Sequence, residues 1–118
     1  MKNTTHLILG MLALTFGMEV KAQIQLPSVF SDGMVLQQNS KVAVWGWGNP
    51  SETLMILSEW NPGDTVRTVV DNQGRWKAEV PTGRAGGPYT LEVKGGNDSR
   101  KLSDVMLGEV WLCSGQSN

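Results

Sequence analysis

Residues 64–80 read DTVRTVVDNQGRWKAEV, and this stretch decides the fold class. In its last six residues apolar and charged side chains alternate, a period of two that indicates a half-buried β-strand. The four residues before them, Asp71–Gly74, are of the types that tolerate positive φ in a tight turn. The stretch therefore predicts a β-hairpin in which a strand over Asp64–Val70 pairs with one over Arg75–Val80.

Short strands separated by turn residues are also predicted through the rest of the chain. Alternation and loops that contain glycine or proline place them at Ile24–Leu26, Met34–Leu36, Lys41–Trp47, Thr53–Ser58 and Tyr89–Lys94. Between residues 23 and 108 no stretch keeps the spacing of an amphipathic helix over two turns. We therefore predict an all-β domain, an antiparallel β-sandwich of the jelly-roll or Ig-like (immunoglobulin-like) kind.

The segment 1–22 has the composition of a secretory signal peptide. Lys2 precedes an apolar stretch from Leu7 to about Met18, and Val20 and Ala22 stand before the predicted cleavage site. The apolar stretch is shorter than the roughly 20 residues that a membrane-spanning helix needs. We expect cleavage after Ala22 and export, either to the periplasm or to the extracellular space. An uncleaved amphipathic anchor is the alternative.

Charge and histidine content limit what the chain after the predicted signal peptide can do. Two of the ten Lys and Arg and one of the eleven Asp and Glu lie in residues 1–22, which leaves eight against ten. This balance provides no basic face for nucleic acid or an anionic membrane. The single histidine, His6, lies in the signal peptide, so an imidazole base must come from elsewhere. The single cysteine, Cys113, excludes an internal disulfide and is expected to be buried.

Three tryptophans are candidates for contact with a sugar ring. Trp45 and Trp47 lie two apart and therefore share one face of a strand, where they could stack on a sugar. Core packing is the stronger prediction for this pair, because a small sandwich needs large apolar residues on its inner faces. Trp60 stands beside the turn residues 61–63 and is the better candidate for an exposed aromatic in contact with sugar.

Alternation of apolar and polar residues disappears near the end of the chain. Residues 105–113 are apolar apart from Gly108 and Glu109, which is typical of a strand covered on both faces in a parallel sheet. We therefore predict a sandwich domain over 23–107 and the start of an α/β domain over 108–118. The small residues of Ser114–Asn118 would present a serine nucleophile after that strand, although a plain polar turn fits the same spacing.

Three segments resemble the start of proteins in the sialate O-acetylesterase family, which belongs with the SGNH-type serine hydrolases. They read LPSVFSDGMVLQ at 26–37, VAVWGWG at 42–48 and GEVWLCSGQSN at 108–118. By that resemblance Ser117 matches the nucleophile, and its own backbone N–H is one donor to the oxyanion. The neighbouring positions take supporting roles, since the turn is shaped by Gly115 and Gln116 and the following helix begins at Asn118.

The resemblance implies hydrolysis of acetyl esters on sugars through an acetyl-serine intermediate, with no metal or other cofactor. The expected partner is an acetylated sugar or sialoglycan. The family's Asp and His partners come from later segments that this sequence does not contain. We therefore expect the chain to be the amino-terminal fragment of an exported carbohydrate acetylesterase and to be inactive alone, because nucleophile and base act as a unit. The alternative is a non-catalytic β-sandwich that binds carbohydrate or has a structural role.

Overall fold

The computed structural model describes residues 23–111, and in this range it contains only β-strands and irregular segments. The strands are β1 Val35–Gln37, β2 Lys41–Trp47, β3 Thr53–Ser58, β4 Val66–Val69, β5 Arg75–Pro81, β6 Gly86–Lys94 and β7 Ser99–Gly108. The predicted all-β class is confirmed, and β2 and β3 have the predicted bounds. Among these described residues there is no helix that is long and apolar enough to cross a membrane.

The strands form two sheets. The larger has the order β1-β7-β6-β3-β4, and the smaller consists of β2 and β5. Every pair is antiparallel except β1 and β7, which run parallel, so the larger sheet is mixed rather than purely antiparallel. Parallel neighbours need a long connection between them, and here the five strands β2 to β6 lie between β1 and β7 in the chain.

One hydrophobic core lies between the two sheets. The smaller sheet contributes Val44 from β2 and the alternating residues Trp76, Ala78 and Val80 from β5, all of them buried. The larger sheet contributes buried residues to the same cluster: Leu36, Leu54, Ile56, Leu91, Val93, Leu102, Val105 and Leu107. Two sheets that share one core in this way form a sandwich.

The predicted hairpin between β4 and β5 is wrong. The turn itself is present, since the Gly74 N–H donates to the Asp71 carbonyl at 3.0 Å and Gly74 has a φ of 77°. However, β4 pairs with β3 in the larger sheet and β5 pairs with β2 in the smaller one. The turn therefore leads the chain from one sheet to the other. Turn residues determine where the chain reverses, and they leave open which strands form a ladder.

The carboxylate of Asp71 organises this turn. Its Oδ1 accepts hydrogen bonds from the backbone N–H groups of Gln73 and Arg75, each at 2.9 Å. The N–H of Arg75 is the main reason that the pKa of Asp71 lies below its usual value. The N–H of Gln73 and the Arg75 guanidinium lower the pKa further and act against partial desolvation, which raises it. The ionised carboxylate is therefore the form that holds the turn.

Replacement of Asp71 by alanine is expected to lower the thermal midpoint at neutral pH, because two backbone N–H groups lose their acceptor. A lowered pKa in the folded state means that the carboxylate stabilises the fold fully above the usual aspartate pKa of about 3.9. That contribution disappears as the pH falls through the folded-state pKa. The difference in midpoint between the wild type and the variant should therefore be constant from pH 5 to 7 and shrink towards pH 2. A difference that grows as the pH falls would contradict this assignment.

The amino-terminal strand predicted at Ile24–Leu26 is reduced to one bridge. Gln25 and Trp47 exchange two backbone hydrogen bonds of 2.9 Å, and the side chain of Ile24 is buried in the core. The bridge requires a glycine at position 46, because a Cβ there would lie 2.1 Å from the carbonyl oxygen of Gln25. The backbone approach is thus close enough to exclude any side chain at that position.

Strand β7 ends at Gly108 and belongs to the sandwich. Val105 and Leu107 are buried in its core, while Met106 between them is 38% exposed, so a period of two holds from Val105 to the end of the strand. The expectation that the apolar run from residue 105 is a strand covered on both faces is therefore wrong for 105–108, whereas the start of a second domain at 108 stays a prediction. Because Met106 is itself apolar, the alternation was hidden in the sequence. Beyond the strand, Val110 and Trp111 are exposed.

Candidate functional site

The predicted catalytic segment lies outside the described residues. This holds for Ser117 and for the turn-shaping residues Gly115, Gln116 and Asn118, as well as for the buried position predicted for Cys113. Their roles stay predictions, as does the signal peptide over 1–22. The structure describes instead the segment that leads towards Ser117 and the surface of the sandwich.

The segment after β7 is held against the end of β1 by side-chain hydrogen bonds. Glu109 Oε2 accepts from Gln37 Nε2 at 3.1 Å and from Gln38 Nε2 at 2.6 Å. The N–H of Val110 donates to Gln37 Oε1 at 2.9 Å. The chain thus leaves the sandwich at a defined point, eight residues before Ser117.

Sequence reasoning missed this contact. Gln37 and Glu109 are 72 positions apart, and the hydrogen bond between them follows from the parallel pairing of β1 with β7. The prediction that β1 and β7 are neighbours would have been needed to find it, and no local pattern carries that information. The only signal was that both residues lie in segments that resemble the same family.

Trp45 and Trp47 lie on the outer face of the smaller sheet, each 40% exposed, so the prediction that they fill the core is wrong. Their spacing places them on one face, and the opposite face of β2 is the one that packs inward through Val44 and Gly46. The small residue at 46 leaves room inside for the backbone of Gln25. The core is filled by β5 instead.

The two exposed tryptophan rings contact each other, and the half-buried ring of Phe30 contacts one of them. The centroids of Trp45 and Trp47 lie 5.8 Å apart with an interplanar angle of 78°, and Phe30 meets Trp45 at 6.0 Å and 81°. Both arrangements are edge-to-face contacts, which are favoured for aromatic pairs. We call these three side chains the aromatic face.

A groove of about 630 Å³ lies beside the aromatic face. In the β2–β5 ladder Trp45 is opposite Lys77 and Trp47 is opposite Arg75, and all four line the groove. The groove is also lined by Gly46 and Trp76 of the same ladder, by Thr68 and Val69 of β4, and by Asp71 at the turn. Apolar ring faces are thus flanked by hydrogen-bond donors and acceptors.

Within residues 23–111 no group of three His, Cys, Asp or Glu side chains could hold a metal ion.

Trp60 is oriented differently from the aromatic face. Its indole N–H donates to the Pro81 carbonyl at 2.9 Å, and its ring meets Tyr89 edge-on at a centroid distance of 5.7 Å. The ring is half-buried and packs against the core. Sugar contact by Trp60 stays a prediction, but the ring has its donor occupied, and the larger aromatic surface is at Trp45 and Trp47.

Comparison with known proteins gives a consistent set of similarities. No protein-family model matches the chain. The chain is 33% identical over 101 residues to a sialate O-acetylesterase of Homo sapiens, an alignment that covers 77% of the chain and 19% of the human protein. The sialate O-acetylesterase of Mus musculus is 30% identical over 99 residues, covering 77% of the chain and 18% of the mouse protein.

A solved structure is similar as well. The crystal structure of a carbohydrate acetylesterase from Xanthomonas citri superposes with a TM-score of 0.69 at 35% sequence identity. The match covers 75% of this chain and 20% of that protein. The chain therefore spans about a fifth of the length of the proteins that it resembles.

Proposed function

Because the chain belongs to the sialate O-acetylesterase family, we propose that it is the amino-terminal part of an exported enzyme that hydrolyses acetyl esters on sugars. The observation that carries this proposal is the 33% identity to a sialate O-acetylesterase over 77% of the chain. The superposition on a carbohydrate acetylesterase with a TM-score of 0.69 supports it.

In the proposed reaction Ser117 is the nucleophile. Its hydroxyl oxygen attacks the acetyl carbonyl carbon while a base removes the hydroxyl proton, and the backbone N–H of Ser117 donates to the oxyanion that forms. Collapse of the tetrahedral intermediate breaks the ester bond. The sugar hydroxyl leaves with the proton, and an acetyl-serine remains. Water then attacks this acetyl group, which releases acetate and restores the serine.

The base must come from outside residues 23–118, since this range contains no histidine. The contribution of the sandwich is to fix the start of the segment that carries the nucleophile, through the hydrogen bonds of Gln37 and Gln38 to Glu109. The N–H of Val110 adds a third hydrogen bond, to Gln37 Oε1, and three such contacts on one short segment give it a defined starting direction.

Acetate release from acetylated sugars tests the proposal. The full-length protein and the chain 23–118 would each be incubated with an O-acetylated sialic acid and with acetylated xylo-oligosaccharides. We expect acetate release by the full-length protein on at least one of the two and none by the chain alone. Turnover by the chain alone that Ser117→Ala abolishes would refute the requirement for a base from elsewhere. A full-length protein without activity on either substrate would contradict the esterase proposal.

A non-catalytic binding module is the second candidate, and the exposure of the aromatic face is the observation that favours it. The two candidates predict different sequences after Asn118. A reading frame that continues into an α/β segment with a late Asp-x-x-His supports the esterase. A reading frame without such a segment supports the binding module.

A further inference from the structure

We propose that the aromatic face and the groove beside it form a sugar-binding site separate from the ester-cleaving centre, and that its occupant is a pyranose ring of the substrate glycan. The assignment of the occupant to the substrate rests on the proposed function. The site itself rests on the geometry of the described residues.

The tryptophans of the aromatic face have no role in the core. The inner side of the smaller sheet is filled by Val44 and by Trp76, which is 4% exposed, whereas Trp45 and Trp47 point away from it. Val69 on β4, which lines the same groove, is 59% exposed. Several exposed apolar side chains that lie together on one face, with polar residues around them, are characteristic of a binding surface.

The chemistry of the lining fits a sugar. A pyranose ring has apolar C–H faces and a rim of hydroxyl groups, so its site needs aromatic surface together with nearby donors and acceptors. Lys77 and Arg75 stand directly across the ladder from the two tryptophans, and Thr68 and Asp71 are further polar residues of the lining. Single-stranded nucleic acid also stacks on aromatic rings, but it requires a basic groove, and residues 23–118 carry more acidic than basic side chains.

The angle between the two tryptophan rings limits the kind of glycan that can bind. Because Trp45 and Trp47 meet at 78°, their faces form a corner rather than a flat platform. A corner holds one ring of a soluble chain, whereas the flat surface of a crystalline polysaccharide needs coplanar rings.

The charged side chains beside the groove favour one class of glycan. Arg75 is paired with Asp71 at 3.9 Å, whereas Lys77 makes no ion pair within the described residues. A carboxylate on the bound sugar would be complementary to Lys77, so an acidic glycan is expected to bind more tightly than a neutral one.

The test uses the full-length protein with Ser117→Ala, so that no ester is cleaved during the titration. Calorimetric titration with 3′-sialyllactose and with xylohexaose is compared for Trp45→Ala, Trp47→Ala and, as the rival aromatic, Trp60→Phe. We expect each of the first two substitutions to weaken binding about tenfold or more and Trp60→Phe to leave it unchanged. Lys77→Gln should weaken binding of sialyllactose and not of xylohexaose.

Three results of the titration would overturn the proposal. They are the absence of binding to both sugars, binding that persists in the Trp45→Ala/Trp47→Ala double variant, and loss of binding only with Trp60→Phe. Protection of Trp45 and Trp47 from hydroxyl-radical oxidation in the sugar-free full-length protein would also overturn it, since another part of the protein would then cover the face. Because binding is measured without ester cleavage, its result is independent of whether the esterase proposal succeeds.

Discussion

Replacement of Ser117 by alanine in the full-length protein should reduce acetyl-ester hydrolysis by roughly 10⁴- to 10⁶-fold. Alanine has no oxygen to attack the acetyl carbonyl, so the acetyl-serine cannot form, and the base has no proton to remove. The backbone N–H at position 117 is still present, so the residual activity would come from oxyanion stabilisation and substrate binding. The measurement is kcat/KM for acetate release from an O-acetylated sugar.

Ser114→Ala is the matched control for this substitution, because it removes the same hydroxyl group three residues earlier in the same segment. We expect a far smaller change in kcat/KM for the control. Equal losses in the two variants would indicate that the segment is sensitive to any change and would remove the support for Ser117 as the nucleophile. Retention of activity in Ser117→Ala would contradict the proposed mechanism directly.

Replacement of Trp76 by alanine is expected to cost about 3–5 kcal/mol of stability, the usual range for loss of a buried tryptophan. The side chain is 4% exposed in the core, and its indole N–H donates to the Trp47 carbonyl at 3.2 Å. The substitution therefore leaves a cavity between the sheets and removes a hydrogen bond that ties β5 to β2. Stability of a domain is about 5–15 kcal/mol in total, so this loss is a large fraction of it.

Hydrogen exchange of the β2 and β5 amides in the full-length protein measures this loss locally. A cost of about 3–5 kcal/mol corresponds to exchange that is faster by roughly two to four orders of magnitude. The matched control is Trp45→Ala, which deletes the same side chain from the outer face of the neighbouring strand, where it is 40% exposed. An effect of Trp45→Ala as large as that of Trp76→Ala would show that the core has been assigned to the wrong face.

The sequence predicted where strands lie along the chain, but it did not predict which strands pair. The bounds of β2 and β3 follow from alternation and from the loop residues between them, which are local properties. The turn at 71–74 was also local, but the partners of β4 and β5 depend on which faces become buried when the sheets pack. The parallel pair of β1 with β7 joins strands from the two ends of the described range 23–111, so no pattern of neighbouring residues predicts it.

The sequence also did not determine which face of a strand is buried. The spacing of Trp45 and Trp47 determined that they share a face, but the need for a glycine at 46 decided which face points inward. At the other end of the domain, an apolar residue on the outer face, Met106, concealed the alternation of β7. Both errors arise because large apolar residues also occur on exposed strand faces, so residue size and polarity alone do not identify the buried face.

The candidate catalytic residue was found in a different way. The residues around Ser117 are compatible with many turns, and the resemblance to a known family is what distinguishes it. Residues 23–118 contain no histidine, and their aspartates stand mostly beside turn residues, so no local pattern supplied the base that the proposed mechanism requires. The hydrogen bond between Gln37 and Glu109 could not be predicted without the pairing of β1 with β7.

Covalent labelling of Ser117 tests most directly whether this residue is the nucleophile of a sugar acetylesterase. An aryl fluorophosphonate reacts with an activated serine, whose oxygen bonds to phosphorus as fluoride leaves. The full-length enzyme would be inactivated with this reagent, digested and mapped by mass spectrometry. We predict one adduct, on Ser117, formed in proportion to the loss of acetate release. Complete inactivation with the adduct on another residue would contradict the assignment of Ser117.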